Sequence, residues 1–147
     1  MKRSCSFEFE GLSQMLPNAD EVGMEMAEAA GPVLAESTKK AVRRVVAHEG
    51  TSELVDSVKL FGPGKTRKGD YFILAYFDGY SKTKTVSHSR THRGKYKVSN
   101  ALKAIWKEYG IPSRGIPAQP FLERAAKAAE AEALDKMQEV FDRKVDI

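Results

Sequence analysis

The segment Gly62-Pro63-Gly64-Lys65-Thr66 carries the residue types of a phosphate-binding loop, in which backbone N–H groups and a lysine hold nucleotide phosphates. Its spacing does not fit that site. A phosphate loop has a further glycine five residues before the one that precedes its lysine, and Lys59 occupies that position. The site also needs a helix directly after the loop, whereas Tyr71–Phe77 has the composition of a β-strand. The segment is therefore predicted to belong to a hairpin turn with a basic tip.

Metal binding and nucleophilic catalysis are the other chemistries that the residue types allow. His88 and His92 are four residues apart and could share a metal ion on one face of a helix. No Cys, Asp or Glu lies near them to complete a site, and the surrounding cations oppose a divalent ion. Cys5 lies in an alternating stretch, where a buried small residue is expected, and no base is placed beside it. The sequence thus predicts no catalytic, cofactor-binding or metal-binding residues, and a protein that is not an enzyme.

The positive charge of the chain is concentrated in its middle. The net charge is +4, but residues 58–116 carry 13 basic and 3 acidic side chains, whereas 1–57 carry 6 and 10 and 117–147 carry 5 and 7. Such a block attracts an anionic partner, either nucleic acid or an acidic protein face. Three roles stay open for it: a protein interface, a DNA contact, or no specific role. The candidate interface residues are Lys82, Lys84, Arg90, Arg93, Lys95 and Lys97.

Three β-strands are predicted from composition and alternation. Ser6–Glu10 alternates phenylalanine with polar residues, which indicates a short strand with one wet face. Leu54–Phe61 and Tyr71–Phe77 should pair as a hairpin around a long basic loop, Gly62–Asp70. Tyr71–Phe77 is apolar at nearly every position, so it is expected to be the central strand, covered on both faces. The polar stretch Gly79–Lys97 is predicted to be a long loop that is mobile in the free protein.

Three helical stretches are predicted as well. The first runs from Pro17 to about Ala47 and is interrupted at Gly31-Pro32, either by a kink in one helix or by a break between two. The second, Val98–Tyr109, has an amphipathic pattern. Its apolar side holds Val98, Ala101, Leu102, Ile105 and Trp106, and its polar side holds Lys97, Asn100, Lys103 and Lys107. The third, from Pro120 to about Val145, is rich in Ala, Glu and Lys, which favour helix.

These elements predict an α+β fold in a single domain, residues 1–147. A small antiparallel β-sheet is packed against helices, and the long C-terminal helix follows a proline-stiffened crossing. No run approaches the roughly 18 apolar residues that a membrane span needs, so no membrane contact is expected.

One segment is similar to the signature of a known family. Glu108-Tyr109-Gly110 ends a helix, and Pro117-Ala118-Gln119-Pro120-Phe121-Leu122 opens the next one after a stretch whose prolines fix φ near −65°. In composition and order this resembles the tail-component family of tailed bacteriophages, the small neck or tail-completion proteins that join tail to head. A weaker part of the resemblance is Phe7-Glu8-Phe9-Glu10-Gly11-Leu12 at the start. The motif residues are Glu108, Tyr109, Gly110, Pro117, Pro120 and Phe121. Phe121 is expected to be buried at the start of the last helix.

The resemblance implies a structural virion protein that acts at the head–tail junction as a subunit of a closed ring. It implies assembly in the cytoplasm of a bacterial host, without a cofactor. The implied partners are other copies of the chain and the connector or stopper, tail terminator and tail tube proteins. The alternative from another class is a small basic DNA-binding accessory protein that uses the Lys/Arg-rich loop 82–97.

Overall fold

The structure, a computed structural model, describes residues 6–7, 16, 18–47, 52–87 and 95–145. Long helices pack on a small antiparallel sheet, so the predicted α+β fold is confirmed, as is its long C-terminal helix. The elements are β1 (Ser6–Phe7), α1 (Ala19–Val45), α2 (Glu53–Asp56), β2 (Val58–Lys65), β3 (Tyr71–Phe77), β4 (Tyr80–Ser87), β5 (Lys95–Ser99), α3 (Asn100–Tyr109), a 3-10 turn (Pro112–Arg114) and α4 (Phe121–Val145).

The main sheet has three antiparallel strands in the order β1-β3-β2, with Ser6 opposite Phe72 and Val58 opposite Phe77. The prediction that Tyr71–Phe77 is the central strand is confirmed. The prediction that both of its faces are covered is wrong, because α1 packs on the face that carries the buried Tyr71 and Ile73. On the other face Tyr76 remains 41% exposed.

Helix α1 approaches the sheet closely because two glycines face it. A Cβ built on Gly23 would stand 2.5 Å from the ring of Tyr71, and one on Gly31 would stand 2.5 Å from Cδ1 of Ile73. The Tyr71 hydroxyl donates a hydrogen bond to Asp20 at the start of the helix. Of the two alternatives for Gly31-Pro32, the break is excluded, because one helix runs through it from Ala19 to Val45.

Helix α4 packs along α1, and the two helices build one of the two core clusters. The buried contact residues on the two helices are Val22, Met26, Ala30, Ala133, Met137 and Val140. At the end of α4 the Lys144 ammonium lies 2.7 Å from Glu25 and 2.9 Å from Glu21. Both carboxylates raise the pKa of Lys144, and Glu25 has the larger effect. The two helix ends are therefore joined by charge as well as by apolar contact.

A second core cluster joins the start of α4 to the sheet. Phe121 is only 2% exposed and packs with Val42, Leu54 and Val58, while its ring meets Phe77 edge to face at 6.3 Å. The predicted burial of Phe121 is confirmed. This cluster holds the first turn of α4 against α1 and β2, so the helix is anchored at both ends.

Three predicted boundaries are wrong. Leu54–Phe61 is not one strand, because α2 occupies its first part and β2 begins only at Val58. The first four residues of the predicted loop Gly62–Asp70 are strand, since β2 continues to Lys65 through a bulge. The remaining residues form a short turn, closed by the Thr66 N–H, which donates to the Asp70 carbonyl. The long loop predicted for Gly79–Lys97 contains β4 and the start of β5, which pair antiparallel.

Candidate assembly interface

The predicted basic loop is in large part a two-stranded hairpin. Lys82 and Lys84 lie on β4, and Lys95 and Lys97 lie on β5, where Ser87 is opposite Lys95 and Thr85 is opposite Lys97. The side chains of Lys82 and Lys97 are exposed. Two of the candidate interface residues, Arg90 and Arg93, and both candidate histidines, His88 and His92, fall outside the described residues, as does Cys5.

Glu53 fastens the base of this hairpin to the body of the protein. Its carboxylate accepts the Lys82 backbone N–H at 2.6 Å and the Ser81 hydroxyl at 3.2 Å, and it lies 3.0 Å from the Lys103 ammonium. The hydrogen bond from the Lys82 N–H lowers the pKa of Glu53 most, and the bond from Lys103 lowers it further. Burial raises this pKa by a smaller amount, so the pKa stays below its usual range. The base of the hairpin, which we call its root, is therefore held in place against the rest of the protein.

Beside that root lies an open cleft of about 410 Å³, lined among others by Glu53, Asp56, Lys59, Asp78 and Lys82. Its charges are mixed, and no group of three or more His, Cys, Asp or Glu among the described residues is placed to hold a metal ion. The buried Asn100 donates to the Asp78 carbonyl at 2.9 Å, but its Oδ1 meets no hydrogen-bond partner in the part of the chain that the structure describes. We assign no chemistry to this cleft.

Helix α3 exposes part of the side that its pattern marks as apolar. Asn100 and Lys103 are buried, whereas Ala101 is exposed and Ile105 is 50% exposed. The predicted division of its residues is therefore wrong at these positions, because Lys103 turns inward to Glu53. Ala101, Ile105 and Tyr109 recur every fourth residue and form one exposed apolar face, which we call the α3 patch.

The crossing from α3 to α4 contains the residues that carry the family resemblance. Gly110 ends α3 with a φ of +72°, and a Cβ there would lie 2.5 Å from the Ile116 carbonyl oxygen. The Ile111 N–H donates to the Ile116 carbonyl at 2.9 Å, and the Ile116 N–H returns a bond of 3.1 Å to the Ile111 carbonyl. The predicted proline-stiffened crossing thus begins with a backbone loop that two hydrogen bonds close.

Glu108 ties the two helices of the crossing together. It is buried at the end of α3, and its carboxylate accepts the backbone N–H of Leu122 in the first turn of α4 at 2.8 Å. An acceptor at a helix start satisfies one of the otherwise unpaired N–H groups and suits the positive end of the helix dipole. The Gln119 N–H donates to the Lys107 carbonyl at 2.8 Å in the same region. Pro117 is exposed and Pro120 directly precedes α4, while Tyr109 is 46% exposed.

The outer face of the main sheet is a second exposed apolar surface. Phe61 is 60% exposed and stacks on Phe72 with ring centroids 6.2 Å apart. Gly64 opposite Phe72 leaves room for that ring, since a Cβ there would stand 2.5 Å from it. We call this surface the sheet patch; its residues are the exposed Phe61 and Tyr76 and the half-buried Phe72 and Leu74. Lys59 lies opposite Tyr76.

The sequence identified the crossing and missed both apolar patches. The apolar residues on both faces of Tyr71–Phe77 indicated a strand covered on both faces, so an exposed outer face was not predicted. The structure joins the two ends of the predicted motif through Glu108 and the Leu122 N–H, and the lysines of the hairpin lie on other elements, β4 and β5.

Within the described residues no helix is long and apolar enough to cross a lipid bilayer. Comparison of the chain with protein-family models, with curated proteins and with solved structures finds no match.

Proposed function

We propose that this chain is a structural virion protein of a tailed bacteriophage or prophage. It acts at the head–tail junction, in the neck or in tail completion, as a subunit of a ring. The crossing between α3 and α4 carries the proposal. Its residues resemble the phage tail-component family, and their contacts leave little room for substitution by other residues. Gly110 has no room for a side chain. The buried Glu108 accepts a hydrogen bond from the Leu122 N–H, and Phe121 is a buried core residue.

The two apolar patches support a subunit role. Monomeric proteins rarely leave large contiguous apolar surfaces in water, and such surfaces mark interaction sites. A ring subunit meets its neighbour through two different surfaces, and a neck subunit also meets a different virion protein. The α3 patch belongs to the basic middle of the chain, so an acidic face of a connector, stopper, tail terminator or tail tube protein would complement it.

The proposal is tested in the phage or prophage that encodes the chain. Deletion of the gene should give separate filled heads and tails by electron microscopy, and expression of the wild-type chain should restore joined particles. Antibody labelling of restored particles should mark the neck. Joined, infectious particles from the deletion would contradict the proposal, and labelling confined to the capsid shell or the tail tip would contradict its location.

The hairpin favours a second candidate function, a small DNA-binding accessory protein. The major groove of B-DNA admits a two-stranded β-ribbon. Four lysines, at positions 82, 84, 95 and 97, lie on β4 and β5. If all four contact phosphate, affinity for duplex should fall about 150-fold between 50 and 200 mM salt, at a slope of about −0.9 per contact. Fluorescence anisotropy with a labelled duplex decides: a loss of that size supports this candidate, and no binding at 50 mM salt removes it.

A further inference from the structure

We propose that the sheet patch of one subunit is covered by the exposed face of α4 of a second copy of this chain. The inference rests on the proposed ring, because it names the two surfaces through which neighbouring subunits meet.

Among the described residues, no second layer covers the sheet patch. Sheets in α+β domains bury an apolar face against helices, and here α1 covers only the face of Tyr71 and Ile73. The opposite face carries the stacked pair Phe61 and Phe72 and the exposed Tyr76. A helix laid on this face would complete a helix–sheet–helix sandwich across two subunits.

The exposed side of α4 has the matching character. Its buried stripe faces α1, and on the outer side the exposed Ala131 and Leu134 lie three residues apart, with Leu134 44% exposed. Glu130 and Asp135 flank this narrow apolar strip and are exposed as well. The strip can therefore lie on the sheet patch while its acids reach the rim.

Charge selects this pairing over the other arrangements of two copies. Residues 58–77, which form β2, β3 and their turn, carry four basic side chains and one acidic, whereas residues 130–142 of α4 carry five acidic and one basic. Two sheet patches face to face would bring Lys59, Arg67 and Lys68 of both copies together, which costs binding energy through like-charge repulsion. The α3 patch also belongs to the basic middle and is disfavoured for the same reason.

The contact is heterologous, since one surface meets a different surface of the next copy. Such contacts close into rings when the rotation between copies permits it. The same contact repeated around the ring would leave no sheet patch in water.

The first test compares two exposed apolar residues in purified full-length protein. We expect Phe61→Ser to weaken self-association at least tenfold in analytical ultracentrifugation up to about millimolar subunit, as loss of a central aromatic anchor does. Ile105→Ser, at a similarly exposed position in the α3 patch, should leave self-association unchanged. Thermal melts check that both variants are folded. A wild-type chain that stays monomeric over the whole range, or equal losses in both variants, overturns the pairing.

The second test exchanges the charges of the two surfaces. One variant carries Lys59→Glu, Arg67→Glu and Lys68→Glu, and the other carries Glu130→Lys, Asp135→Lys and Asp142→Lys. Each variant alone should fail to assemble, and an equimolar mixture should assemble again, because each reversed surface then meets its reversed complement. No recovery in the mixture overturns the pairing.

A single-stranded nucleic acid is the other occupant that an aromatic sheet face with cations could take. If oligonucleotide binds the wild-type chain and Phe61→Ser abolishes that binding while self-association persists, the sheet patch is a nucleic-acid site and the pairing is overturned. None of these measurements uses the phage particle, so a negative result overturns the pairing without deciding the virion role. A negative deletion experiment would in turn contradict the virion role without deciding how two copies pair.

Discussion

A single methyl group at Gly110 should destabilise the protein more than its size suggests. The backbone there, with φ of +72° and ψ of −177°, lies in a region essentially reserved for glycine. A Cβ would also stand 2.5 Å from the Ile116 carbonyl oxygen and 2.7 Å from the Ala118 nitrogen. Both are backbone atoms, and the first is held by the hydrogen bond from Ile111, so no side-chain rotation can relieve the clash.

The size of the effect follows from these two terms. The strained backbone costs about 1–3 kcal/mol, and the forced contact adds about 1–3 kcal/mol, so Gly110→Ala should lose about 2–6 kcal/mol of unfolding free energy. Gly115→Ala is the matched control, five residues on, with a left-handed φ of +66° and no atom within 4 Å of the new methyl group. It pays about 1–2 kcal/mol for the conformation and regains about 0.4–1 kcal/mol from the less flexible unfolded chain.

Urea unfolding followed by the fluorescence of Trp106, the single tryptophan, measures both variants. We expect a midpoint for Gly110→Ala far below that of Gly115→Ala. If the two variants lose the same amount, the crossing is not the rigid loop described above and the argument from the backbone contacts is refuted.

Two further predictions concern the core and the root of the hairpin. Phe121→Ala should cost about 3–5 kcal/mol in the same assay, as a buried aromatic truncation does; a loss below about 1 kcal/mol would mean that the ring faces a partner instead of the core. Glu53→Gln should cost about 3–5 kcal/mol at pH 7, because it leaves the buried Lys103 ammonium without its carboxylate. Since folding lowers the pKa of Glu53 from its ordinary 4.5, this stabilisation is complete above that pH and is lost as the pH falls through the folded-state pKa. Wild type and Glu53→Gln should therefore converge in acid, and a gap that stays constant from pH 7 to pH 3 would contradict the assignment.

The sequence predicted the elements whose signals are local. Helix α4 was recognised because Ala, Glu and Lys favour helix over 25 residues, and its observed bounds are Phe121–Val145. The crossing was recognised because proline fixes φ, and glycine permits conformations closed to other residues, wherever they stand. Burial of Phe121 followed from its place directly after that crossing.

Long-range partners explain what the sequence did not predict. The orientation of α3 depends on the ion pair of Lys103 with Glu53, fifty residues earlier. The local sequence around either residue gives no sign of this pairing. Strands β4 and β5 pair with each other, with few apolar residues to mark their faces. The alternation of lysine with threonine over residues 82–85 was the available sign of a strand, but its polarity indicated a loop.

The pairing of α1 with α4 has a consequence for the order in which the protein can be made. Lys144 and Glu21, which join the ends of these helices, are 123 residues apart in the chain. During synthesis α1 leaves the ribosome long before α4 exists, so Val22, Met26 and Ala30 stay exposed until almost the whole chain has been translated. A chain that stops before α4 would keep this apolar stripe in water and be held back by chaperones or proteases. Only chains translated to the end of α4 would then accumulate as folded protein.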